Sequence, residues 1–114
     1  MEEEVQLTFT LYSQISSEVL LYPASVAPLY LALGVNGEAG ELGEKVKKVY
    51  RDRDGVFDEE SILEIKKEVG DTLWYLNRIS EELGFTLESA ALLNICKLQD
   101  RINRNTLQSK GDNR

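Results

Sequence analysis

The sequence predicts an all-α fold: an antiparallel, four-helix bundle-like protomer completed by oligomerisation. Three observations lead there. Apolar residues recur at intervals of three and four in successive segments, the period of a helix with one buried face. Turn signals separate those segments at Tyr22-Pro23, Asp52-Arg53-Asp54-Gly55 and Gly84. No stretch alternates apolar and polar residues as a half-buried strand would. A length of 114 residues with 42% hydrophobic content suits one domain, residues 1–114. A chain this small buries a modest share of its surface, and association with a second copy would help close the core.

The first helix is expected over about residues 3–20, where Val5, Phe9, Tyr12, Ile15 and Val19 form one stripe. It should stop near Leu21-Tyr22-Pro23, because proline disfavours a helical residue before it. The second should begin between Val26 and Leu29, with Pro28 tolerated in its first turn, and run to about Arg51. Its first half carries Gly34, Gly37, Gly40 and Gly43 at intervals of three. Each glycine inside a helix costs about 1 kcal/mol relative to alanine, so four of them need a reason. Either the missing side chains admit a close approach by a helix or ligand, or the segment is a loop or kink. The third helix should start after Asp58 or Ser61 and run to about Leu83, with Ile62, Ile65, Val69, Leu73, Leu76 and Ile79 as its apolar stripe and Glu64, Glu68, Asp71 and Tyr75 beside it. Gly84 is a suitable C-terminal cap, and Thr86 or Ser89 opens a fourth helix to about Asn103. From about residue 102 to 114 an extended or mobile tail is expected.

Composition excludes several classes of function. A net charge of −7 argues against nucleic-acid binding, since phosphate backbones select basic surfaces. The absence of histidine removes the common zinc and general-base chemistries, and one cysteine allows no internal disulfide. Cys96, within an apolar run, reads as a buried, inert thiol. No stretch is long and apolar enough to span a membrane, and the acidic start Met1-Glu2-Glu3-Glu4 is unlike a signal peptide, so the expected compartment is the cytoplasm.

The chemistry concentrates in two carboxylate pairs, Glu38-x-x-Glu41 and Glu68-x-x-Asp71. Residues three apart on a helix point the same way, so each pair forms a claw. Acidic residues at that spacing are ordinarily a solvated face, as Glu44 with its neighbouring lysines illustrates. These claws differ in containing a glycine and lying beside an apolar stripe, where charge is poorly solvated and must be paired. On facing antiparallel helices they could converge on a metal ion. Carboxylate oxygens are hard ligands suited to Mg²⁺ or Mn²⁺, which pair with phosphates, so the pattern points to metal-dependent phosphate chemistry. Asn94, Lys97 and Arg101 share a face of the fourth helix. They suit polyphosphate oxygens, or are a solvated basic end favoured by the helix dipole. Of Trp74 and Tyr75, one should face the core, Trp74 being the better fit, and one left exposed can stack on a base; Trp74 is kept as a substrate-binding candidate for the second arrangement.

These residues also carry a resemblance. The run from Tyr30 through Gly34-Val35-Asn36-Gly37-Glu38-Ala39-Gly40-Glu41-Leu42 to Lys48, followed by Glu68-Val69-Gly70-Asp71-Thr72-Leu73-Trp74-Tyr75-Leu76 with 26 residues between Glu41 and Glu68, resembles the MazG-like nucleoside triphosphate pyrophosphohydrolases of the all-α NTP pyrophosphatase superfamily. The likeness extends from Tyr22-Pro23 to the ending Arg101 through Arg104-x-x-Leu107-x-x-x-Gly111-Asp112-x-Arg114. Asn36 stands where many relatives have a small or apolar residue, with no evident loss of chemistry. The resemblance implies an all-α enzyme that cleaves nucleoside triphosphates, deoxy or ribo, between the α and β phosphates, a house-cleaning activity on the nucleotide pool. It implies Mg²⁺, or Mn²⁺, on Glu38, Glu41, Glu68 and Asp71; with no histidine in the chain, one of these four carboxylates is expected to double as the base, and Glu41 is the candidate. By the same likeness Asn94, Lys97 and Arg101 hold phosphates, the tail with Lys110 and Arg114 closes over the site, and the protein is a homodimer or homotetramer. Two alternatives are a phosphoribosyl-ATP pyrophosphatase-like enzyme, whose sequences lack the Gly-Glu-Ala-Gly-Glu context, and a non-catalytic acidic helical interaction module.

Overall fold

The computed structural model describes residues 6–18 and 22–104. Four helices account for nearly all of them: α1 (Phe9–Ser16), α2 (Ala27–Asp52), α3 (Glu59–Glu82) and α4 (Leu87–Asn103), with a single 3₁₀ turn at Ala24–Val26 leading into α2. The fold is all-α, and no strand occurs among the described residues.

Local chemistry sets most of the boundaries. α1 starts later than its apolar stripe implies because Thr8 caps it, the Thr8 hydroxyl oxygen accepting a hydrogen bond from the Leu11 amide at 3.1 Å. The stripe positions Val5 and Val19 lie outside the described residues. α2 is one continuous helix with Pro28 in its first turn, so the loop or kink considered for its glycine-rich half does not form. It ends in a turn with Asp54 at φ 52° and Gly55 at φ 77°. Asp58 caps α3 by accepting from the Ser61 amide at 2.9 Å, and Thr86 caps α4 by accepting from the Ser89 amide at 3.1 Å. Between them Gly84 adopts φ 85°. Its amide donates to Glu81 O and the Phe85 amide donates to Ser80 O, at 3.1 and 3.0 Å, which closes α3 with a Schellman motif. α4 reaches Asn103, slightly past the expected start of the tail; residues 105–114 lie outside the described part.

α2 and α3 form the principal antiparallel pair. Lys45 Nζ meets Glu64 Oε2 at 3.5 Å, and about three helical turns further towards the start of α2 the ring of Tyr75 lies on Gly34. α1 crosses the far end of α3, with Ser13 Oγ donating to Glu81 at 2.9 Å and Thr10 Oγ1 donating to Glu88 of α4 at 3.2 Å. Among the described residues the buried apolar side chains are only Ala27, Leu31 and Val49.

That thin core corrects two expectations. In α3 the buried residues are Ser61, Asn77, Arg78 and Ser80. Of the expected stripe, Ile62, Val69 and Leu76 are exposed, because the face turned towards α2 is the polar one carrying Glu64, Glu68 and Tyr75. Cys96 is exposed rather than buried: among the described residues α4 makes few contacts with α1 and α3, and none of its own residues is buried. Leu92, Leu93, Ile95 and Ile102 are all more than half exposed.

Candidate metal centre and adjoining cavity

The antiparallel register of α2 and α3 brings carboxylates from both helices together. Glu38, Glu41 and Glu68 each present an oxygen within 4.8 Å of the others. Glu38 and Glu68 are partly buried, and Glu41 is exposed on the open side. Asp71 stands outside this trio, at the wall of the neighbouring cavity, with its charge still acting on Glu38.

The trio is electrostatically unbalanced. Oε2 of Glu38 and Oε2 of Glu68 are buried without a hydrogen-bond partner. Among the described residues no lysine or arginine forms an ion pair with Glu38, Glu41, Glu68 or Asp71; the nearby Lys45 is taken by Glu64 and Lys47 by Glu44. The Glu38 carboxyl is pushed up from 4.5 to about 7, first by burial, then by the apposed carboxyl of Glu68 and by the charges of Glu41 and Asp71. None of these influences comes from a cation.

The donor set fits a hard divalent ion. Magnesium takes oxygen ligands at 2.0–2.1 Å in octahedral geometry, so adjacent ligands lie about 3 Å apart. The trio therefore has to contract by up to roughly 2 Å, a movement that falls to the glutamate rotamers. A cation there would partner the two buried oxygens and relieve the repulsion that raises Glu38.

Beside the carboxylates opens a cavity of about 680 Å³ whose walls are mostly apolar. Glu38 and Asp71 line one side, and Tyr12, Tyr30, Trp74 and Tyr75 supply aromatic surface. Trp74 is half-buried; its Nε1–H donates to Ser16 O at 3.2 Å, which ties α3 to α1. Its ring meets those of Tyr75 and Tyr22 edge-on, at centroid distances of 5.1 and 6.4 Å. Tyr22 in turn stacks on Tyr30 at 5.9 Å. The Tyr75 hydroxyl is pushed above its ordinary pKa by burial first, then by Tyr30 and the negative charges of Glu38 and Asp71. It stays protonated as a hydrogen-bond donor.

Trp74 thus lines the cavity while also tethering two helices. Asn94, Lys97 and Arg101 lie along α4 and do not line this cavity; Asn94 and Lys97 are exposed. Lys110 and Arg114 fall outside the described residues. Tyr12, Ile15 and Tyr30 were not foreseen as site residues. Tyr12 and Ile15 looked like core positions of α1, and the one available hint was the presence of five tyrosines in 114 residues.

Among the described residues no helix is long and apolar enough to cross a membrane. Residues 27–105, which hold all four carboxylates, match the MazG nucleotide pyrophosphohydrolase domain. The chain is 37% identical over 110 residues to the Gene 37 protein of Mycobacterium phage L5, covering 91% of this chain and 96% of that protein. No solved structure matches it significantly.

Proposed function

The chain belongs to the MazG nucleotide pyrophosphohydrolase family, and on that premise we propose that it is a Mg²⁺-dependent hydrolase of nucleoside triphosphates. It cleaves between the α and β phosphates, releasing a monophosphate and pyrophosphate. Its role is clearance of unwanted nucleotides from the cytoplasmic pool. The observation that carries this reading is the juxtaposition of the unpaired carboxylate trio with an aromatic cavity of nucleoside size.

Glu38, Glu41 and Glu68 hold the metal, Mg²⁺ or Mn²⁺, and Asp71 supplies a further ligand from the cavity wall. When bound, the metal offsets the charge of the triphosphate and lowers the pKa of a coordinated water. Glu41 is the most open of the trio and is assigned as the base that takes the proton of the attacking water. Glu38, whose carboxyl is pushed up to about 7, would have to be ionised to serve as a metal ligand. The aromatic walls exclude water from the nucleoside end, and Trp74, held by Ser16, offers a ring for the base.

The phosphate end needs cations, and among the described residues no lysine or arginine lines the cavity. Asn94, Lys97 and Arg101 are assigned to it from the α4 of another copy, in a homodimer or homotetramer, with Lys110 and Arg114 closing over the bound nucleotide. The exposed apolar residues of α3 and α4 support that assembly, since faces of this kind are buried in stable oligomers.

The test is a panel of standard and damaged nucleoside triphosphates scored for pyrophosphate release with and without Mg²⁺. Metal-dependent pyrophosphate release, lost in Glu41→Gln and Asp71→Asn variants that remain helical, is the expected result. Full turnover in those variants, or release of inorganic phosphate alone, would overturn it.

A further inference from the structure

Of the four glycines spaced by three in α2, Gly37, Gly40 and Gly43 face open space. Gly34 does not. A Cβ built on Gly34 would lie 2.1 Å from Cε1 and 2.3 Å from Cδ1 of Tyr75. Carbon atoms in contact sit at about 3.5–4.0 Å, so the ring would have to move by more than about 1 Å to admit one methyl group. The ring is packed directly on the α2 backbone, a close approach that glycine alone permits.

That ring has a second aromatic neighbour. Trp74 stands perpendicular to it, and Trp74 is itself tethered through Nε1 to Ser16 and packed edge-on to Tyr22. A ring lifted off α2 has to shift beside this held neighbour, within the cavity that Tyr75 lines. Position along the helices gives the contact its meaning: Gly34 is about one turn from Glu38, and Tyr75 about one turn from Asp71. In a nucleotide whose α-phosphate is held at the carboxylates, the group one step further from the metal is the sugar.

We propose that Gly34 is a positioning residue acting through Tyr75: its bare backbone sets how deeply the phenol ring sits, and that depth sets the width of the cavity at the sugar, and so the choice between 2′-deoxyribo- and ribonucleotides. The inference rests on the assignment of the cavity to a nucleotide. Gly34→Ala should fold, because alanine is the better helix former. Its expected effect is a KM raised roughly 10-fold or more, the range seen when a methyl group intrudes on a tight pocket, with a smaller change in kcat. The deoxy-to-ribo ratio of kcat/KM should move with it.

Trp74 is the only tryptophan in the chain, so its emission reports the ring against it without any turnover. Gly34→Ala should alter that emission in the nucleotide-free protein. In a Tyr75→Ala background, the same substitution should change neither Trp74 emission nor nucleotide affinity, since the clash is gone. Wild-type KM and sugar preference in Gly34→Ala would overturn the inference. So would an equal KM penalty in the presence and absence of the Tyr75 ring. If the wild-type protein hydrolyses no nucleotide, the functional reading falls. Quenching of Trp74 by non-hydrolysable deoxy- and ribonucleotide analogues then decides the role of Gly34: an unchanged preference between the analogues in Gly34→Ala refutes it.

Discussion

The α2–α3 pair and α4 dispose of their side chains in opposite ways. α2 and α3 meet along polar faces: the Lys45–Glu64 pair, then the carboxylates, then the Gly34–Tyr75 contact. α4 turns Leu92, Leu93 and Ile95 to solvent and contributes no buried residue. An interior of unpartnered carboxylates destabilises, and an exterior of leucines forgoes burial worth about 25 cal/mol per Å². On the function proposed above, a cation would offset the first cost and a further copy the second.

The comparison breaks hardest at Glu41. Replacing it by glutamine should lower kcat by roughly 10²–10⁴-fold if it serves as the base, while circular dichroism stays that of the wild type, because Glu41 is exposed and supports no packing. Pyrophosphate release measures the first quantity.

Next in size is the other region. Leu93 is 71% exposed, and Leu93→Asp should shift the protein to monomer in sedimentation velocity. The α2–α3 site should keep its metal affinity by calorimetry. A wild-type protein that is itself monomeric would remove the basis for placing a second copy on α4.

The third test is a pH dependence. Glu38 holds its proton more tightly in the folded chain, with a pKa of about 7, than at its ordinary 4.5. A carboxyl raised on folding contributes stability that is complete below about 4.5 and lost as pH rises through about 7. The metal-free protein should therefore lose Tm over that interval, and Glu38→Gln should flatten the loss. Because the cation must displace this proton, metal affinity should climb over the same interval in the wild type. A slope identical in both proteins would place the titration elsewhere.

The smallest effects are at the caps. Asp58→Ala and Thr86→Ala each remove a side-chain acceptor from a helix start, at a cost of about 1 kcal/mol. Denaturant midpoints measure both. Only Asp58→Ala should also weaken metal binding, since it loosens the helix that carries Glu68; equal effects on metal binding would mean that α4 is coupled to the site more tightly than its few contacts indicate.

Much of this was legible in the sequence because it is local. Pro28, Asp58, Gly84 and Thr86 act within a turn of themselves, so three helices fall close to their expected limits. The i, i+3 spacing of each carboxylate pair is likewise a property of one helix. The misplaced features depend on contacts between helices. Ile62, Val69 and Leu76 look like core by period alone, and period cannot say whether the partner face belongs to the same chain. The same limit hid the exposure of Cys96 and the role of Tyr12, which reaches the cavity only because α1 crosses α3.

What the sequence determined by itself is the set of four helices, their order and the two acidic pairs, since capping, turn formation and helical phase act over a few residues. What the tertiary structure alone decided is which groups meet: that Glu38, Glu41 and Glu68 draw together while Asp71 stands at the cavity wall, and that one glycine of four receives a ring. Those outcomes depend on the register and rotation of α3 against α2. A displacement of one residue along a helix turns a side chain by about 100°, and nothing within either helix fixes it.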